Sequence, residues 1–307
     1  MPCSTAEDNT MSTPEPDLRS IWSHLDKLAF TQGYVTANGH RTRYVNAGPK
    51  DAPPVVMVHG MGGTWENFIA NFAAHAEYFN TFAFDLVGHG YSDKPDQVFA
   101  VEDYVRHLGG FIETMGLRKV RLFGLSIGAW TSTKFTVRHP DRVEKLVVMS
   151  AWGRARPEQT AESRAWMETE NAKRLKAVDE PSYAAMDEIF ASLIAKPQDR
   201  MQDLLALRLR IYRQTGMPKT MRQVFGGLAP DVWNKNMLTD EELRSVAAPT
   251  LLMACVDHPD MFLQHAREYR ALIPNVQWVE IVGASHWPQW ETADTVNRHS
   301  LAFFRAA

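Results

Sequence analysis

Cysteine is scarce in this chain of 307 residues, which carries two, Cys3 and Cys255. One stands in a polar N-terminal stretch and the other in an apolar run, so no disulfide framework is expected and a reducing, cytoplasmic setting is. Long hydrophobic runs are missing as well. The apolar stretches Pro54–Val58, Leu146–Met149 and Thr250–Ala254 fall far short of the roughly 18 residues that a membrane span needs. Met1 to Ser20 lacks the basic start and apolar stretch of a signal peptide and reads as a disordered, polar tail. Neither sign of charge dominates. Lys and Arg number 33 and Asp and Glu 36, a net charge of −3, so no concentrated basic face for nucleic acid is expected. H-E-x-x-H and C-x-x-C spacings are absent, so no metal is expected. The Gly60–Gly63 run lacks the third glycine and the spaced acid of a dinucleotide site.

What the chain does have is alternation. Short β-branched apolar runs take turns with helical patterns, the mark of a mostly parallel sheet flanked by helices, an α/β fold. Tyr34–Thr36 and His40–Asn46 read as a hairpin turning at Asn38-Gly39. Val55–Val58, Thr81–Phe84, Val120–Phe123, Val143–Ser150, Pro249–Cys255 and Val276–Val282 read as further strands. Val101–Met115, Ala129–Arg138 and Thr292–Ala306 read as helices. From Pro157 to about Met237 strand signals vanish and a 3.6-residue period takes over, as in Leu204, Leu205, Arg208, Ile211 and Tyr212. The expected organisation is a tail over 1–20, a core over 21–152 and 240–307, and an inserted helical cap over 153–239. Within the cap, Trp166, Met167, Met186 and Met201 are read mainly as its own core.

Gly124-Leu125-Ser126-Ile127-Gly128 carries the chemistry. The pattern G-x-S-x-G describes a tight strand-to-helix turn that exposes a serine hydroxyl, and here an apolar strand precedes it and a helical pattern follows. A serine hydroxyl needs a base to take its proton and a carboxylate to orient that base. On such a sheet the chain order is serine, acid, histidine. Asp257 follows one late strand and His286 the next, both where an open α/β sheet collects ligands. Asp260, three residues beyond Asp257, is the competing acid. The oxyanion formed on attack needs two N–H donors. Ile127 supplies one and Met61, in His59-Gly60-Met61-Gly62-Gly63, the other, with Gly60 allowing close approach of substrate. His59 is read as an organiser of that loop, and Asp85 to Ser92 as a structural turn.

In this order of motifs, from about Tyr34 to the C-terminus, the chain resembles the α/β-hydrolase superfamily. Ser285-His286-Trp287-Pro288-Gln289-Trp290-Glu291 is similar, within it, to the meta-cleavage product hydrolases. Those enzymes split a carbon–carbon bond in 2-hydroxy-6-oxo-dienoates made by ring cleavage of catechols in aromatic degradation. The resemblance implies that Trp287 borders the site. It also implies that Arg208, in Leu204-Leu205-Ala206-Leu207-Arg208, holds the dienoate carboxylate, a task that suits the paired donors of a guanidinium. Leu125 stands where that family carries asparagine beside the substrate, and no Gly-Pro-Gly segment follows Met61-Gly62-Gly63. A carboxylic ester or lactone hydrolase using the same residues therefore stays open, as does a non-catalytic receptor on the same fold. The chemistry requires no cofactor. The partner expected is a small-molecule substrate, without nucleic acid or membrane, and a homo-oligomer is left open.

Overall fold

The computed structural model describes residues 19–155, 161–257 and 260–306. Eight strands form one sheet: β1 (Thr31–Ala37), β2 (His40–Ala47), β3 (Pro54–Val58), β4 (Asn80–Phe84), β5 (Val120–Leu125), β6 (Val143–Met149), β7 (Thr250–Cys255) and β8 (Val276–Ile281). Their spatial order is β1-β2-β4-β3-β5-β6-β7-β8. β1 pairs with β2, and β2 with β4, antiparallel; every later pairing is parallel. β3, β5 and β6 are buried almost throughout, because helices cover both faces of a parallel sheet and leave no side for water. That is why they read as continuous Val, Leu and Phe runs.

The helices are α1 (Ile69–Ala76), α2 (Val101–Thr114), α3 (Ile127–Arg138), α4 (Ala161–Asp179), α5 (Tyr183–Ala191), α6 (Gln202–Tyr212), α7 (Met217–Gly226), α8 (Pro230–Trp233), α9 (Asp240–Arg244), α10 (Met261–Leu272), α11 (Pro288–Glu291) and α12 (Ala293–Arg305). The sequence reading assigns no element to α1 or α10. α1 is short, and in α10 the apolar positions are interrupted by His265 and Arg267.

α4 to α8 all lie between β6 and β7. The two ends of this helical insertion meet: Ala155 N–H donates to Leu238 O at 2.9 Å and Leu238 N–H to Gly153 O at 2.7 Å. Met186 is fully buried and Met201 partly; the side chains of Trp166 and Met167 lie outside the described residues. Of the tail expected over 1–20, residues 1–18 also lie outside them. Ser20 does not float free. Its hydroxyl and the Ile21 amide donate to Asp203 at 2.7 and 2.8 Å, fastening this segment to α6. Among the described residues no helix is long and apolar enough to cross a membrane.

The chain runs from β3 to β4 on one side, then returns past β3 to lay β5 on the other. Connections therefore leave the C-terminal ends of β3 and β5 in opposite directions and open a crevice between them. Val58 is registered with Gly124 there, so the loop after Val58 and the turn at Ser126 face each other by topology alone.

Candidate active site

Ser126 sits between β5 and α3 at φ 57°, ψ −119°, a backbone state that side-chain-bearing residues adopt only when their surroundings impose it. The surroundings do so. Ser126 N–H is tied to Met149 O at 3.0 Å, and Trp130 N–H returns to Ser126 O at 3.0 Å to start the helix. The flanking glycines are steric necessities. A Cβ on Gly128 would stand 2.1 Å from Val58 O, and one on Gly124 would stand 2.6 Å from Ala129 Cα. α3 thus closes onto β3 and β5 at backbone distance, and the serine is the residue forced outward.

The facing loop is built as tightly. Gly63 N–H donates to Gly60 O at 3.0 Å, closing a turn with Met61 at its tip and Gly62 at φ 67°. That turn geometry calls for glycine at its third position. His59 does organise the loop. One ring nitrogen, Nε2, accepts the Leu86 amide at 2.9 Å, so Nδ1 carries the proton and donates to Gly60 O at 2.7 Å. Burial pushes its pKa down to about 3, which fits a neutral ring with both nitrogens engaged. The Asp85 to Ser92 turn is structural too. Asp85 takes Arg43 Nε at 2.6 Å and the amides of Trp65 and Tyr91 at 2.9 and 2.8 Å. Arg43 is shared with Glu66 in a two-pronged pair at 2.9 and 2.8 Å.

His286 arrives on the loop after β8. Ser150 Oγ donates to its carbonyl at 2.8 Å. Glu291 accepts the Ser285 amide at 2.7 Å and also the amides of Ala195 and Lys196 in the insertion, at 2.8 and 3.3 Å. The imidazole packs against Phe262, ring centroids 4.2 Å apart. Burial pushes its pKa down to about 3, with the charge of Arg174 adding to the effect, so the ring is neutral. One cleft is lined by Gly60, Met61, Ser126, His286 and Trp287, together with Trp152 and Phe262. Trp287 packs edge-on against Phe190 of α5, at 5.3 Å.

The acid is placed differently from the other two. Asp257 is exposed and its carboxylate takes the Gly283 amide at 2.6 Å. His286 Nδ1 is buried with no hydrogen-bond partner among the described residues. Asp260 caps α10, accepting the amides of Phe262 and Leu263 at 2.9 and 3.0 Å. It also lines a small cavity with His286, Ser150 and Cys255 behind the cleft. The structure thus brings Ser126 and His286 to one cleft and Asp260 to a cavity shared with His286, holds Asp257 on the Gly283 amide, and leaves Nδ1 of His286 without an acceptor among the described residues.

A family model described as the alpha/beta hydrolase fold matches residues 53–293. The chain belongs to this family. Among its relatives, carboxylesterase YbfK of Bacillus subtilis (strain 168) is 26% identical over 293 residues, covering 92% of this chain and 90% of the relative. The 2-hydroxy-6-oxo-2,4-heptadienoate hydrolase of Pseudomonas putida is also 26% identical, over 261 residues, 84% of this chain and 90% of the relative. A solved structure of 2-hydroxy-6-oxo-6-phenylhexa-2,4-dienoate hydrolase from Rhodococcus sp. strain RHA1 superposes with a TM-score of 0.79 at 19% identity, covering 91% of this chain and all of that one.

Two features of this α/β-hydrolase bear on what enters the cleft. Arg208 is buried, with its guanidinium over the rings of Phe190 and Tyr212 at 5.2 and 5.7 Å. Its Nη1 and the Tyr212 hydroxyl face Gly62, 3.6 and 3.1 Å from where a Cβ would be. Arg208 therefore reaches the back of the Met61 loop from α6. The cleft wall itself also carries Glu170, Asn171 and Arg174 of α4, which the sequence reading does not single out. Their helix mixes polar and apolar residues without segregating them to one face, so no apolar stripe marks the inward side.

Proposed function

We propose that this α/β-hydrolase cleaves a carbon–carbon bond in a 2-hydroxy-6-oxo-dienoate-type substrate, with Ser126 as nucleophile and His286 as base. The observation that carries the reading is the shared cleft. A strained serine, a neutral buried imidazole, the Met61 turn and Trp287 converge on one space. His286 first helps move a proton so that the dienol becomes a ketone. Ser126 Oγ then attacks the carbonyl as His286 takes its proton, and the amides of Met61 and Ile127 receive the oxyanion. The bond to the neighbouring carbon breaks, and its electron pair passes into the conjugated dienolate and is protonated. Water, activated by His286, releases the acyl group from Ser126. Gly60 and Leu125 flank the reacting carbon, Trp287 borders the chain, and Arg208 serves the carboxylate end. The helical insertion acts as the cap that closes over it.

A carboxylate must orient the imidazolium that forms, since a buried N–H without an acceptor costs about 1–3 kcal/mol. Asp257 fills that role in this reading by exchanging the Gly283 amide for His286 Nδ1, and Asp260 is its rival. A second reading, a carboxylic ester or lactone hydrolase with the same residues, draws on Leu125. This side chain is fully buried beside Gly60 and offers no donor to a polar dienoate. Stopped-flow absorbance with a 2-hydroxy-6-oxo-dienoate, beside a short-chain nitrophenyl ester, separates the two. Loss of the dienolate chromophore at about 1–1000 per second, with a slow ester, supports the first. Fast ester cleavage with an inert dienoate establishes the second. A receptor would show a single slow turnover and a ligand left bound.

A further inference from the structure

Ser150, the residue after β6, stands at φ 48°, in the left-handed region where a side chain is costly and glycine is not. It is buried, and the chain on either side holds it in place. Before it, Met149 is registered with Met253 of β7. After it, the Trp152 carbonyl receives the Tyr269 hydroxyl at 2.6 Å. The Trp152 ring packs against Trp130, Trp233 and Phe262, with centroids 5.8, 4.6 and 6.1 Å apart. A side chain kept in a conformation that glycine would adopt without strain points to a use for that side chain.

The hydrogen bonds show the use. The Ser150 hydroxyl donates to the carbonyl of His286 at 2.8 Å, across 136 positions of sequence. The carbonyl of Met149 accepts the Ser126 amide at 3.0 Å. The single peptide unit between Met149 and Ser150 therefore joins the backbone of Ser126 to the backbone of His286. We propose that Ser150 is a positioning residue, which sets the imidazole of His286 relative to the hydroxyl of Ser126. This rests on the hydrolase reading above and deepens it. Ser150 acts through the main chain of the base. Without its hydroxyl, the loop from β8 into α11 is free to shift, and proton transfer from Ser126 Oγ to the imidazole is sensitive to a displacement below 1 Å. The loss should fall on the chemical step and spare the affinity for substrate.

Two variants separate this role from a structural one. Ser150→Ala removes the hydroxyl and keeps the strain, whereas Ser150→Gly removes both. Stability should tell them apart, with the thermal midpoint of the alanine variant below that of the glycine variant. Activity should not. Both should lose about tenfold in kcat with KM within about twofold of the parent, on whichever of the dienoate and the nitrophenyl ester the parent turns over. Phenylmethylsulfonyl fluoride gives a second measure, independent of substrate. Ser126 Oγ bonds to its sulfur, fluoride leaves, and the hydroxyl proton passes to His286. The rate of this labelling, followed by mass spectrometry, should fall about tenfold in both variants. A glycine variant as active and as quickly labelled as the parent overturns the proposal. So does activity that follows the thermal midpoint, or a change confined to KM. Failure of the hydrolase reading registers in the parent instead and takes this proposal with it: Ser126 gains no sulfonyl group, or turnover persists after Ser126→Ala.

Discussion

At Ser126 the strain of the backbone and the need of the proposed chemistry coincide. The φ of 57° is held because α3 and the sheet close around it, and Gly124 and Gly128 make that closure possible. Gly128→Ala would drive a methyl group into Val58 O, 2.1 Å away, a clash between backbones that no rotamer relieves. It should cost about 3 kcal/mol or more, read as a lowered urea midpoint. Gly39→Ala, with nothing within 4 Å of its Cβ but φ at +79°, should cost only about 1 kcal/mol. Ser126→Ala should lower kcat by about 10⁴-fold or more with the fold intact by circular dichroism. The acid is decided by a pair of variants. Asp257→Asn should lower kcat by about 10³- to 10⁴-fold, while Asp260→Asn, which keeps an oxygen to cap α10, should stay within tenfold. The reverse ranking would assign the orienting role to Asp260.

Among the elements, the loop from β8 into α11 does two jobs with one motif. Its histidine and Trp287 face the cleft, whereas Glu291 and Trp290 hold the insertion. Glu291 gathers the amides of Ala195, Lys196 and Ser285, and Trp290 Nε1 donates to Asp199 O at 2.8 Å. The loop that carries His286 and the insertion are thereby tied to one carboxylate. Glu291→Ala would remove the acceptor of three amides, of which that of Ala195 is exposed and can turn to water, at a cost of about 1–2 kcal/mol. Denaturant unfolding would record that loss. If the latch also positions His286, kcat should fall about tenfold or more, a larger effect than on KM.

The whole molecule carries a pH liability in its buried histidines. Burial pushes His59, His89, His107 and His286 down to about 3, and His75 to about 4. In the unfolded chain these side chains would titrate near the ordinary histidine value of about 6.5. Below that value the unfolded state binds protons that the native state refuses, so stability is complete above pH of about 6.5 and falls as the medium becomes more acid. Each such histidine should contribute a slope of about 1.4 kcal/mol per pH unit once the unfolded form is protonated. Thermal unfolding between pH 7 and pH 5 should show the midpoint falling steeply. Replacing His75, whose Nε2 meets only the hydroxyl of Ser300, by glutamine should make that fall shallower.

The order of strands and helices in the core was readable because a parallel sheet buried on both faces needs unbroken apolar runs, and such runs are local. Ser126 was readable for the same reason: an elbow needs glycines at fixed spacing, whatever else surrounds it. His286 was marked by chain order and by its place after a strand. Local signals ended there. In the insertion, α4 scatters its apolar residues around the helix, so its inward side, with Arg174, leaves no periodic trace. The link between Glu291 and residues 195–196 joins segments almost a hundred positions apart, and no sequence spacing encodes it. Which carboxylate reaches His286 depends on how the loop after β7 folds against the loop after β8. Asp257 and Asp260 are chemically equal in the sequence; only the three-dimensional packing gives one the Gly283 amide and the other the start of α10.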